Sequence, residues 1–289
     1  MTAITHSGAG HRGDCIRSKR TAETQWLPVT AGAVRDLLGL LSLPPWHLSE
    51  LIDLILGEPA LTAHAFRVAG ERAGEPQVSL EECVILLGAA GLRSLAMELP
   101  IVEQHDPVGT VFYGLLQHAR RCARLTEYVA TACGWPIPKQ GLLAGLLHDV
   151  GRMKQIWQAT GLGLVPPAPN TPANAEARVE SARIAEFWHF PTAVAESLRH
   201  VLGRGQEGRA GVLGRALALG NAVAEYVEGM GKLALSEEQG RYCLELIQQH
   251  LTATPGTQFD SLAETLVREA RWDTQRERRY NGRENQYEQ

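Results

Sequence analysis

Several features are scarce in this chain of 289 residues, and each absence excludes a class of protein. Positive charge is not in surplus: 28 lysines and arginines are outnumbered by 32 acidic residues, and the formal net charge is -4. Proteins that bind nucleic acids depend on lysine and arginine to contact the phosphates. The composition therefore disfavours nucleic acid as a partner.

Cysteine is also sparse, with five residues that are scattered along the chain and form no CxxC pair. This pattern indicates neither a disulfide framework nor a zinc ribbon. No run of about 18 uncharged apolar residues is present, so no membrane span is predicted. The first twenty residues lack the apolar core of a signal peptide. We therefore expect a cytoplasmic protein without a membrane partner.

Strand-like alternation is missing as well, and so are the P-loop, GxGxxG and GxSxG motifs of common enzyme families. Apolar residues recur instead at helical spacing through most of the chain. The strongest patterns predict one helix over 111–133 and a continuous second helix over 140–157. The fold class predicted is all-α, a compact multi-helix bundle.

Local signals predict where several shorter helices begin and end. Pro59 is suited to the first turn of a helix. Ser79 followed by Glu82 has the spacing of a capping box. Gly70 and Gly88 are predicted to end the helices that precede them.

Composition and helical pattern divide the chain into five predicted segments. They are a flexible tail (1–26), an N-terminal helical subdomain (27–104), a second helical subdomain (105–232), C-terminal helices that pack on the bundle (233–272) and a polar, disordered tail (273–289).

The best candidate for chemistry is the His148-Asp149 pair, which lies among leucines on a predicted helix. The helix before it carries His118. Imidazoles and a carboxylate that meet at one cavity suit a divalent transition metal. Such a metal could activate a water for attack on a phosphoester.

The same residues also allow a purely structural interpretation. A buried histidine is often satisfied by a carboxylate or a backbone carbonyl, with no metal involved. The buried carboxylate of Asp149 needs a partner, and a hydrogen bond from His118 would provide one. The residues alone leave both interpretations open.

The sequence around these residues resembles the HD superfamily, and in particular its HDOD branch. Leu142 to Gly151 is similar to the family's "aGLLHDiG", and Gln117-His118-Ala119 is similar to its "HS/HA". Three further similarities lie in the same order as in the family: Glu58-Pro59-Ala60-Leu61-Thr62, Ser79 to Gly88, and Phe187 to Pro191. The resemblance covers about residues 27–230 and implies an HD/HDOD-type helical bundle.

The resemblance also implies a set of metal ligands, and this chain has only part of it. His118, His148 and Asp149 match, whereas Asn221 stands where the family has a later aspartate. Further histidines of two-metal members are replaced, by Ala177 in one position and by Val201 and Leu202 in a pair. The candidate site is therefore a vestigial or single-metal site formed by His118, His148, Asp149 and Asn221.

From the resemblance we expect a bacterial signal-transduction protein that acts by binding, without catalysis. Its partner would be a sensor kinase or a response regulator, with a small nucleotide as a further candidate ligand. The incomplete ligand set favours no cofactor, and any cofactor would be one divalent transition metal: manganese, iron or zinc. The alternative is a phosphohydrolase that acts on a nucleotide or other phosphoester with a single metal.

Overall fold

The helical periodicity of the sequence is realised as ten helices and two very short strands in the part of the chain that the structure describes. The structure, a computed structural model, describes residues 27–42, 45–104, 107–132, 135–161, 173–200 and 211–232. The predicted tails 1–26 and 273–289 and the predicted helices within 233–272 lie outside the described residues. The predicted all-α class is confirmed.

The elements follow one another along the chain as a series of helices. They are β1 (Val29–Thr30), α1 (Ala31–Ser42), α2 (Leu48–Leu56), α3 (Pro59–Ala73), α4 (Leu80–Glu98), β2 (Ile101–Val102), α5 (Pro107–Ala132), α6 (Pro138–Leu147), α7 (Val150–Gly161), α8 (Ala173–Phe187), α9 (Thr192–His200) and α10 (Val212–Lys232).

Two predicted helix starts are confirmed. Pro59 occupies the first turn of α3, where its missing N–H costs no hydrogen bond. Ser79 caps α4 by accepting a hydrogen bond from the backbone N–H of Glu82 over 3.2 Å. The Glu82 carboxylate accepts from the backbone N–H of Val78, one residue before the N-cap, so the serine half of the predicted capping box is formed and the glutamate half is shifted by one residue.

Of two predicted helix ends, the one at Gly70 is wrong and the one at Gly88 is confirmed. Gly70 lies inside α3, which continues to Gly74, a residue with a φ of 74°. A methyl group at Gly70 would lie only 2.3 Å from the Cβ of His189, so close packing explains this glycine. Gly88 has a φ of 60° and a ψ of 179°, which are not helical, so it ends the first of the two helical segments that together form α4.

The helices pack in two groups along the chain. β1 pairs in parallel with β2, which ties the start of the first group to the end of α4. In the second group α5 packs against α6 and α10, and α8 packs against α7 and α9. The predicted boundary between residues 104 and 105 falls between β2 and α5, and α3 contacts α5 and α6 across it. None of the described helices is both long and apolar enough to cross a membrane.

Candidate functional site

Two glycines bring neighbouring helices into close contact with α5, the helix that carries His118. A methyl group at Gly145 of α6 would lie 2.5 Å from the Cα of Ala123 on α5. A methyl group at Gly220 of α10 would lie 2.5 Å from the hydroxyl oxygen of Thr126, also on α5. Only glycine permits these approaches. The C-terminal end of α6 and one face of α10 therefore converge beside the same stretch of α5.

The predicted continuous helix over 140–157 is wrong, because it breaks at the candidate site. His148 and Asp149 form the turn between α6 and α7. Ser181 of α8 stabilises this turn: its hydroxyl donates to the carbonyl of His148 over 2.8 Å and accepts from the N–H of Gly151 over 2.9 Å. In an unbroken helix that N–H would donate four residues back along the chain. The serine thus replaces a helical hydrogen bond at the break.

The four predicted site residues meet at the junction of α5, the α6–α7 turn and α10. The Nε2 atom of His118 lies 3.1 Å from Nε2 of His148 and 3.1 Å from Oδ1 of Asn221. An Asp149 carboxylate oxygen lies 3.6 Å from Nε2 of His148 and 4.0 Å from Nε2 of His118. At this distance the direct hydrogen bond expected between His118 and Asp149 is not formed.

Each histidine is oriented by a hydrogen bond at its other ring nitrogen. Nδ1 of His118 lies 3.0 Å from a carboxylate oxygen of Glu228, and Nδ1 of His148 lies 2.7 Å from the carbonyl of Gly145. Both partners can only accept, so both Nδ1 atoms carry the hydrogen. The two Nε2 atoms then face each other, and two lone pairs at this distance repel. A positive charge between them, either a proton or a metal ion, removes the repulsion.

Electrostatics support this need for positive charge. Burial acts to lower the pKa of His118, but the hydrogen bond and charge of Glu228, followed by the charge of Asp149, raise it to about 9. Burial acts to raise the pKa of Asp149, and the neighbouring histidines together with Arg152 and Arg178 lower it overall. The site therefore stabilises an ionised Asp149 and a cation beside it.

The donor atoms fit a single metal ion. Two ligands bound at about 2.1 Å to one ion lie about 3.0–3.4 Å apart when they are neighbours in its coordination sphere. The separations of 3.1 Å that centre on His118 match this range, and the ligand atoms of His118, His148 and Asp149 all lie within 4.8 Å of one another. Hydrogen bonds at the outer nitrogen of each imidazole are also typical of metal-binding histidines.

At the positions where two-metal members of the family carry further histidines, this chain has other residues. Ala177 is 3% exposed on α8, one turn before Ser181, and its carbonyl would lie 1.9 Å from a methyl group at Gly151. Ala177 thus lines the packed joint between α7 and α8, and its side chain offers no ligand. Val201 and Leu202 lie outside the described residues.

Comparison with known proteins agrees with this architecture. Residues 27–157 match the model of the HDOD domain, so the chain carries an HDOD domain over this range. The crystal structure of the MmoQ response regulator from Methylococcus capsulatus str. Bath is similar in fold, with a TM-score of 0.57 and 19% identity over 75% of this chain and 93% of that one.

A virulence factor (cj0248) from Campylobacter jejuni subsp. jejuni is also similar, with a TM-score of 0.55 and 13% identity. That match covers 91% of this chain and 98% of the other. At these identities the two structures show a shared HD/HDOD-type helical fold. No curated protein sequence matches this chain significantly.

Sequence reasoning did not identify three residues that contact the cluster, Glu228, Glu225 and Ser181. Glu228 and Arg121 form an ion pair behind His118. Glu225 accepts a hydrogen bond from the amide nitrogen of Asn221 over 3.0 Å, and Ser181 holds the helix break. The spacing of Asn221, Glu225 and Glu228 by four and three residues was a usable signal, because such residues share one face of a helix.

Proposed function

We propose that this protein is a regulator in bacterial signal transduction that acts by binding a partner and not by catalysis. One observation carries the proposal: Ala177, which is buried and whose carbonyl packs against Gly151, stands where the resemblance places a further histidine. The ligand set of a two-metal hydrolase is therefore incomplete. Among structures of similar fold, one belongs to a protein described as a response regulator, which supports a signalling role.

The partner that we propose is a sensor kinase or a response regulator of the same cell. A helical scaffold presents grooves to such proteins. A ligand that binds one conformation of the scaffold more tightly than another shifts the equilibrium between the two conformations. The candidate site occupies a suitable place for such control, because it joins α5, the α6–α7 turn and α10.

One divalent ion, manganese, iron or zinc, would be held by His118, His148, Asp149 and Asn221. When bound, such an ion polarises a coordinated water or phosphoester oxygen. In the proposed regulator its role is structural. The residues of three separate segments approach one point, so filling that point stabilises their packing.

The first test is the metal content of the full-length protein, by elemental analysis as purified and after soaking in manganese, iron or zinc. Near-stoichiometric metal that is lost in His148→Ala supports the single-metal site. The regulatory proposal requires, in addition, that the metal-loaded protein hydrolyses no phosphoester and binds a cognate sensor kinase or response regulator. Phosphoester turnover that His148→Ala abolishes would overturn it.

The alternative is a single-metal phosphohydrolase, and one observation favours it. Arg152 and Arg178 lie close enough to Asp149 to lower the pKa of its carboxyl. Two cations beside a metal site could bind the phosphate of a nucleotide substrate. Under this hypothesis Arg178→Gln raises the KM for a phosphoester, whereas under the regulatory proposal there is no turnover to change.

A further inference from the structure

One face of α10 carries three polar side chains, two of which contact His118 of α5. Asn221 is followed four residues later by Glu225 and seven residues later by Glu228, which places all three on one stripe of the helix. Asn221 belongs to the central cluster. Neither glutamate does, yet each is bonded to a member of that cluster.

Glu228 is held from two sides. Its carboxylate accepts a hydrogen bond from Nδ1 of His118 over 3.0 Å and pairs with the guanidinium of Arg121. Arg121 is 5% exposed, so this ion pair is shielded from solvent on the arginine side. The carboxylate fixes the tautomer and direction of the imidazole, so that in the neutral form Nε2 of His118 carries no hydrogen and is aimed at the centre of the cluster.

Glu225 does the same for Asn221. The amide nitrogen of Asn221 donates to the Glu225 carboxylate over 3.0 Å, and a carboxylate at neutral pH only accepts. The amide can therefore have just one orientation, in which its oxygen lies beside His118. An oxygen is the amide atom that can bind a metal.

The two glutamates also compensate for a missing charge. With neutral imidazoles the cluster of His118, His148, Asp149 and Asn221 has a single negative charge, that of Asp149. Asn221 in place of a carboxylate weakens the attraction for a divalent ion. Glu225 and Glu228 add negative charge just behind Asn221 and His118, and the positive charge of Arg121 offsets part of it. Both glutamates are close enough to act on the charge of His118.

From these contacts we propose that Glu225 and Glu228 are positioning residues that set the affinity of the cluster for one divalent cation. The inference rests on the proposed function, which places the ion among His118, His148, Asp149 and Asn221. It goes further, because two side chains that are not metal ligands, Glu228 and Glu225, would orient the ligands His118 and Asn221. They would also supply part of the electrostatic attraction for the cation.

The test is calorimetric titration of the full-length, chelator-treated protein with Mn²⁺ and with Zn²⁺. Glu228→Gln and Glu225→Gln are compared with the unmodified protein. Removal of an outer carboxylate of this kind lowers metal affinity by about 10–100-fold. The matched control is Glu127→Gln, whose carboxylate is ion-paired to Lys139 and 25% exposed, as Glu228 is. Glu127 is nine residues from His118 along α5, so its loss leaves the affinity unchanged.

A second variant separates charge from simple folding effects. Asn221→Asp combined with Glu225→Gln moves one negative charge from the outer shell to the cluster. We expect this double variant to bind the cation at least as tightly as the unmodified protein, although Glu225→Gln alone binds it less tightly. A merely structural role for Glu225 predicts instead that Glu225→Gln weakens binding by the same factor with and without Asn221→Asp.

The outcomes distinguish this inference from the proposed function. If the unmodified protein binds neither ion, the metal site and this inference are both overturned. If the unmodified protein binds an ion, and Glu225→Gln and Glu228→Gln both bind it as tightly as the unmodified protein does, the inference alone is overturned. Weakened binding in both variants, an unchanged Glu127→Gln and rescue by the double variant support it.

Discussion

Gly145→Ala is the substitution from which we expect the clearest structural effect. The added methyl would lie 2.5 Å from the Cα of Ala123, 2.6 Å from the carbonyl oxygen of Cys122 and 2.7 Å from the N of Ala123. All three atoms belong to the backbone of α5, so no side chain can rotate to make room. The helices α5 and α6 must separate.

The size of the effect follows from these distances. Non-bonded carbon atoms rest about 3.5–4.0 Å apart, so the helices must move apart locally by about 1 Å. Overpacking of this kind costs about 1–3 kcal/mol, and alanine regains about 0.5–1 kcal/mol because it is a better helix former than glycine. We expect a net loss of about 1 kcal/mol, which for a domain of this size lowers the Tm by roughly 2–4 °C.

Denaturant unfolding and thermal melts measure the loss, and the matched control is Gly114→Ala. Gly114 lies on α5 in an exposed position, and a methyl there would meet nothing within 4 Å. That control is therefore expected to be neutral or to stabilise the protein slightly. Equal stability of Gly145→Ala and Gly114→Ala would refute the close contact of α5 and α6 on which the site depends. Metal affinity should fall in Gly145→Ala but not in Gly114→Ala, because only the first substitution moves His148 away from His118.

Three further predictions concern the site itself. In the metal-free protein His118 has a pKa raised from 6.5 to about 9, so its charge stabilises the fold fully below pH 6.5 and the benefit is lost as pH rises through 9. Chemical unfolding across this range should show a loss of roughly 3 kcal/mol that Glu228→Gln reduces; a flat profile would contradict the assignment. Ser181→Ala should cost about 1–3 kcal/mol, since it leaves the buried N–H of Gly151 without its partner; unchanged unfolding would show that the turn needs no such bond. Metal at 100 times its Kd should stabilise the protein by about 3 kcal/mol but not stabilise His148→Ala, as thermal melts can show.

Much of the fold and the centre of the site could be predicted from the sequence because they depend on local signals. The helical recurrence of apolar residues indicated the all-α class, and Pro59 and Ser79 marked helix starts correctly. His118 and His148 could be paired because they lie on successive predicted helices and both match motifs of the HD superfamily. The structure brings them to 3.1 Å.

The features that were missed depend on contacts between distant parts of the chain. The break at His148 and Asp149 results from Ser181, more than thirty residues later, and the surrounding leucines continue the helical pattern through it. Glycine often ends a helix, but at position 70 it is required because His189 packs closely against it. Local pattern cannot distinguish a glycine that ends a helix from one that admits a neighbour.

The persistence of His148 and Asp149 in this chain is weak evidence for catalysis, and the physics of burial explains why. The cluster is a polar network inside an apolar bundle, in which His148 is 6% exposed and bonded to its own helix. Removing one member of such a network leaves an uncompensated buried charge, which costs about 3–5 kcal/mol. Stability alone is therefore enough to retain both residues even in a protein without activity. At Ala177, where the resemblance places a further histidine, a small apolar side chain brings no buried charge and so no such penalty. Under our proposal, positions such as Ala177 would therefore separate a hydrolase from a binding protein better than the His-Asp pair does.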